Sequence, residues 1–119
     1  MILFEIAEQL SEKVYLINDA QRAKLHVAAV FVNNFTNNLF TLGEQITQKE
    51  NLSFEILKPL IQETVEKIQT HSPLEMQTGP AIRNDQNTID RHLKYLQKEF
   101  PELVEVYLTM TKSIQNKTL

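Results

Sequence analysis

Two stretches of this sequence carry residue types whose spacing could do chemistry. One lies in Lys24–Ile46, KLHVAAVFVNNFTNNLFTLGEQI. There Leu25, Ala28, Val32, Phe35, Leu39, Leu42 and Ile46 follow one another at steps of three and four, which places them on one stripe of an α-helix. The opposite side carries His26, Asn33, Asn34, Asn37, Asn38 and Thr41. A solvated helix face is ordinarily rich in Lys and Glu, which favour the helix, whereas Asn disfavours it. Asparagines and a histidine in that place suit hydrogen bonding to a ligand, ordered water or another polypeptide; the alternative is surface composition that has merely drifted. The other stretch is Gln77-Thr78-Gly79-Pro80-Ala81-Ile82-Arg83. It offers a hydroxyl, free backbone groups near Gly79 and a guanidinium within a few residues, which could hold an anionic or carbonyl substrate. The alternative is that Gly79-Pro80 only turns the chain and Arg83 sits in water.

Other chemistry lacks its residues. With 2 glycines in the chain there is no phosphate-cradling loop of the GxGxxG or P-loop kind, so no cofactor site is expected here. His26, His71 and His92 fall on different elements without a carboxylate at ligand spacing, so no metal site is expected. There is no cysteine, which removes disulfides, thiolate nucleophiles and Cys-based metal sites and fits a cytoplasmic protein. Arg91, Lys94 and Lys98, interleaved with Asp90 and Glu99, read as a solvated face.

The elements that must position these residues follow from length and pattern. A chain of 119 residues with 42% apolar residues makes one domain with a real core. A net charge of -3 argues against bulk-charge binding to nucleic acid, and no apolar run reaches membrane-spanning length. The start, MILFEIAEQLSEK, carries Glu5 and Glu8 without a basic leader and does not read as a signal peptide. Residues 2–10 suit a short amphipathic helix, and Lys13-Val14-Tyr15-Leu16-Ile17 reads as a strand with no second strand to pair with. Asn18 or Asp19 can cap a long helix running to about Glu50, with a bend plausible at Gly43. Ser53 caps a helix to about Thr70, with Phe54, Leu57, Ile61, Val65 and Ile68 inward and a kink expected at Pro59. After an irregular stretch, Asn84 or Asp85 caps a helix with Ile89, Leu93, Leu96 and Phe100 on its apolar stripe. Pro101 opens the last helix, whose inner face is Leu103, Tyr107, Met110 and Ile114.

LHVAAVFVNNFTNNLF (Leu25 to Phe40), ETVEKI (Glu63 to Ile68) and QTGPAIRND (Gln77 to Asp85) resemble the C-terminal domain of unknown function that follows a Rossmann domain in proposed NADP-dependent oxidoreductases. That family is similar to pyrroline-5-carboxylate reductase and to the 6-phosphogluconate dehydrogenase group, whose all-α C-terminal domain dimerises and closes the substrate site. The resemblance implies a split of the chain. Residues 1–18 would be the end of a Rossmann domain whose earlier part is missing, which accounts for the stray strand. Residues 19–119 would be a helical substrate-side and dimerisation domain of four main helices. It further implies NADP in the parent protein, inactivity without the nucleotide-binding half, and a homodimer through the long helix at residues 20–50. By motif, His26, Asn34, Thr78, Gly79, Pro80 and Arg83 are the substrate-side candidates. Members often carry His where this chain has Asn38, so Asn38 is not among them. The rival from another class is a stand-alone helical interaction module without catalysis.

Overall fold

The computed structural model describes residues 17–117. The helix expected at residues 2–10 and the strand expected at Lys13–Ile17 lie outside the described residues, apart from Ile17 itself, which sits in irregular backbone. All regular structure among the described residues is helical, so the fold is all-α, as the periodicities require. None of these helices is long and apolar enough to cross a membrane. The chain divides into two compact units between Pro59 and Leu60.

In the first unit, α1 (Asp19–Ala29), a π-helical turn (Val30–Phe35) and α2 (Thr36–Lys49) run as one unbroken rod. Asn18 starts it with a capping box: its side chain accepts from the Gln21 N–H at 2.8 Å, and the Gln21 carboxamide accepts from the Asn18 N–H at 3.1 Å. The π turn is one the 3.6-residue spacing cannot show. Its wider winding rotates everything after it relative to everything before it. Along the stripe drawn from Leu25 to Ile46, Leu25, Leu42 and Ile46 are half-buried, but Val32 is 74% exposed and Phe35 is exposed as well, because no other described element packs on that length of the rod. Thr47 is buried in their place. At Gly43, where a bend is plausible, the α-helical assignment of α2 continues without a break. The rod ends in a Schellman motif. The N–H of Leu52 bonds the Thr47 carbonyl at 2.8 Å, that of Asn51 bonds the Gln48 carbonyl at 3.1 Å, and Asn51 takes the left-handed φ of 58°. Ser53 then caps a 3-10 turn (Phe54–Leu57) that lies against α2.

A kink is expected at Pro59 inside a helix that starts after Ser53, but the α-helix starts only at Lys58. The chain winds its first turn as the 3-10 helix, and α3 (Lys58–Lys67) begins there. Pro59 thus sits in the opening turn, where its missing N–H costs nothing. The α-helix also stops at Lys67 instead of reaching Thr70. In the second unit, α4 (Gln86–Glu99) and α5 (Val104–Gln115), joined through a 3-10 turn (Pro101–Leu103), fold against each other. Ile89, Leu96 and Leu103 are buried there as the stripes predict. Met110, expected inward, is 44% exposed, and the neighbouring Thr111 takes the buried position.

Candidate functional site

The loop between α3 and α4 is built on backbone that few residues could adopt. Gly79 has φ of 102°, and no atom lies within 4 Å of where a Cβ would stand, so its need for glycine is conformational and not steric. Beyond it, the Pro80 carbonyl accepts from the Asp85 N–H at 2.9 Å, and the Ala81 carbonyl accepts from the Asn84 N–H at 3.1 Å. Asn84 takes the left-handed φ of 52°, which asparagine tolerates. Ala81 is buried beneath this turn.

Asp85 closes the loop and opens α4. Its carboxylate accepts from the Thr88 N–H at 3.2 Å and from the Thr88 hydroxyl at 2.8 Å. These two bonds hold its carboxyl below the ordinary 3.8; desolvation opposes them, and Arg83 and Arg91 add lesser lowering effects. Arg91 donates to the Thr88 hydroxyl oxygen at 3.0 Å. The Arg83 guanidinium stands 3.8 Å from the Asp85 carboxylate and is largely exposed. It is tethered at the start of α4 yet still free to meet an anion.

Thr78 faces elsewhere. It lines a cavity of about 460 Å³ between α3 and the loop, with Leu60, Glu63, Lys67, Ile68 and Met76. Glu63 and Lys67 form an ion pair at 2.9 Å across its rim. The Gln77 carboxamide donates to the Thr78 carbonyl at 3.1 Å and holds that residue's backbone. The Thr78 hydroxyl makes no hydrogen bond to another described residue. Of the cavity's walls, only Thr78 was a sequence candidate. The i, i+4 relation of Glu63 to Lys67 was the legible signal for the helical side; Met76 had none.

His26 and Asn34 belong to the other unit, His26 on α1 and Asn34 in the π turn, and both are exposed. The side chains of Asn33, Asn34, Asn37 and Asn38 make no hydrogen bonds to other described residues, so their donors and acceptors are free for an outside partner. The π turn is held by the Thr36 hydroxyl, which donates at 3.3 Å to the Phe31 carbonyl five residues back. The structure thus gathers Thr78, Gly79, Pro80 and Arg83 on one loop, and His26 and Asn34 on one rod. A second cavity, of about 470 Å³, lies in the first unit beside Gln48, Phe54 and the Glu55–Lys58 ion pair, and none of the six candidates lines it.

Helix N-termini are natural anion sites, but three of these are already closed by their own side chains. Asn18 caps the rod, Ser53 the 3-10 turn, and the Asp85 carboxylate α4. Among the described residues there is also no group of three or more His, Asp and Glu side chains placed to hold a metal.

A family profile described as a domain of unknown function (DUF2520) matches residues 1–114. The crystal structure of a proposed NADP oxidoreductase from Bacteroides fragilis superposes with a TM-score of 0.82 at 41% sequence identity. That match covers 87% of this chain and 39% of the other, so the chain spans well under half the length of that relative. No curated protein matches it. The family resemblance carried by the LHVAAVF and TGPAIR segments is borne out.

Proposed function

The chain belongs to the DUF2520 family, and on that premise we propose that it is the helical, substrate-side and dimer-forming domain of an NADP-dependent oxidoreductase. The observation that carries this reading is the 41% identity, over 87% of the chain, to a protein named for that activity. In this division of labour, residues 1–18 are the end of a Rossmann domain and residues 19–119 are the helical domain. The dinucleotide is held outside this chain. Among the described residues, the Asn18, Ser53 and Asp85 side chains already close three helix starts, and no glycine-rich turn stands before any helix to cradle a pyrophosphate. A cytoplasmic setting agrees with the lack of cysteine.

NADP, when bound in the parent protein, supplies the hydride. This chain's residues bind and orient the carbonyl or imine that receives it. The Thr78 hydroxyl is a hydrogen-bond donor with no other described partner. Gly79, which keeps the open backbone conformation, and Pro80 shape the loop around it. The exposed Arg83 guanidinium supplies positive charge near the loop's end. On the rod, which belongs to the other unit, His26 and the π-turn residue Asn34 are exposed hydrogen-bonding side chains and the remaining substrate-side candidates.

The test is the full reading frame that encodes this chain, expressed whole and titrated with NADPH by nicotinamide fluorescence. A glycine-rich strand–turn–helix upstream and micromolar binding are expected, with no binding by the 119-residue chain alone. A reading frame without such a segment, or tight NADPH binding by the short chain, overturns the reading.

A further inference from the structure

We infer that the cavity between α3 and the 73–78 loop is a binding site for a small, net-neutral molecule with an apolar body and one carbonyl head group. The choice of a carbonyl rests on the substrate-side role proposed for Thr78; the neutrality and the apolar body come from the cavity alone. At about 460 Å³ it has room for a compact molecule of that kind.

Its apolar walls are side chains that water otherwise covers. Leu60 is 60% exposed and Ile68 47% exposed, and Met76 adds an adaptable half-buried surface. Burying an apolar body against them removes hydrocarbon from water on both sides. The charges on the rim cancel. Glu63 and Lys67 stand 2.9 Å apart, so a unit charge entering the cavity meets a dipole and not an opposite charge. Attraction to one partner is offset by repulsion from the other, while the entering ion loses its water. A neutral head group avoids that loss. The Thr78 hydroxyl can donate to a carbonyl oxygen, and the Gln77 carboxamide fixes the backbone that carries it.

The test is an NMR titration of the ¹⁵N-labelled chain with three probes of one shape: cyclohexanone, cyclohexanecarboxylate and cyclohexylammonium. Cyclohexanone is expected to shift the amides of Lys67, Ile68, Met76, Gln77 and Thr78 saturably, with both charged probes weaker. Thr78→Val, which alters an exposed side chain that bonds no other described residue, is expected to weaken cyclohexanone about threefold to tenfold, the range of one hydrogen bond. Glu63→Gln leaves Lys67 uncompensated and is expected to strengthen the carboxylate relative to cyclohexanone. Shifts scattered over the surface, a carboxylate that binds the unaltered chain as well as cyclohexanone does, or a Glu63→Gln variant with no gain for the carboxylate each overturn the proposal. These outcomes are separate from those of the NADPH experiment. A missing dinucleotide-binding segment leaves the titration untouched, and a flat titration leaves the family assignment standing.

Discussion

His92 Nδ1 lies 2.8 Å from the Tyr107 hydroxyl, and the two rings meet edge to face at 90° with centroids 5.7 Å apart. The pair joins α4 to α5. Tyr107 is half-buried, and that burial pushes its phenol above the ordinary 10.0. Tyr107→Phe keeps the ring contact and removes the hydrogen bond, which should destabilise the chain by about 0.5–1.5 kcal/mol in urea unfolding. A second signature lies at high pH. Above 10.0 the unfolded chain loses its phenolic proton before the folded one, so stability falls as pH rises through that window. The Phe variant should lose this part of the alkaline limb. Equal unfolding midpoints for the two proteins would mean that the bond contributes nothing.

Asp85 gives the acid limb. Its folded carboxyl titrates below the ordinary 3.8, chiefly because Thr88 donates two hydrogen bonds to the charged form. The contribution is complete above 3.8 and is lost as pH falls through that value toward the lower folded one. Asp85→Asn keeps a capping oxygen for the Thr88 N–H and removes the titration. Thermal unfolding followed below pH 4 should therefore show a shallower acid decline for the variant. An identical decline would assign acid sensitivity to other carboxylates.

How much of this was legible in the sequence depends on how local each cause is. The two caps follow from local residue types: Asn18 and Asp85 cap where the sequence offered Asn18 or Asp19 and Asn84 or Asp85, and the buried Ile89, Leu96 and Leu103 follow from helical spacing. The π turn was not legible, because every residue of Val30–Phe35 is compatible with an α-helix and the extra winding leaves no mark in the pattern. The stripe also put Val32 and Phe35 inward, and they are exposed because no other described element packs on that length of the rod. Thr111 hid behind its polarity: a threonine beside a methionine reads as the outward one of the two. The His92–Tyr107 pair needs the α4–α5 hairpin to bring together residues on separate helices. The cavity beside Thr78 likewise needs the loop folded back on α3. The candidate loop was legible from residue types alone; what stands opposite it was not.

The two glycines should respond oppositely to alanine. At Gly43 a new Cβ would lie 3.8 Å from the Phe54 ring, an ordinary contact inside α2. Gly43→Ala should stabilise by about 1 kcal/mol through helix propensity. At Gly79 there is space but φ is 102°, so Gly79→Ala should destabilise by about 1–2 kcal/mol from backbone strain. Melting temperatures of the two variants decide this, and a stabilised Gly79→Ala would show that the loop relaxes to negative φ.

The rod presents apolar surface that the other described residues leave uncovered. Val27 is 59% exposed and Phe31 62% exposed, and Phe31 meets Phe35 edge to face with centroids 5.1 Å apart. Contiguous exposed apolar side chains of this size mark interfaces. In the proposed reading, a second copy of the chain covers them through a two-fold contact, in which each substitution acts twice. Sedimentation at several concentrations should show a dimer. Phe31→Glu should weaken it by at least about 2 kcal/mol, because it removes a buried aromatic side chain and introduces a charge that the interface cannot solvate. Phe31 is exposed in the single chain, so the variant should keep its helical circular dichroism. A monomer at high micromolar concentration would rule out rod-mediated dimerisation. A dimer indifferent to Phe31→Glu would move the interface to another face.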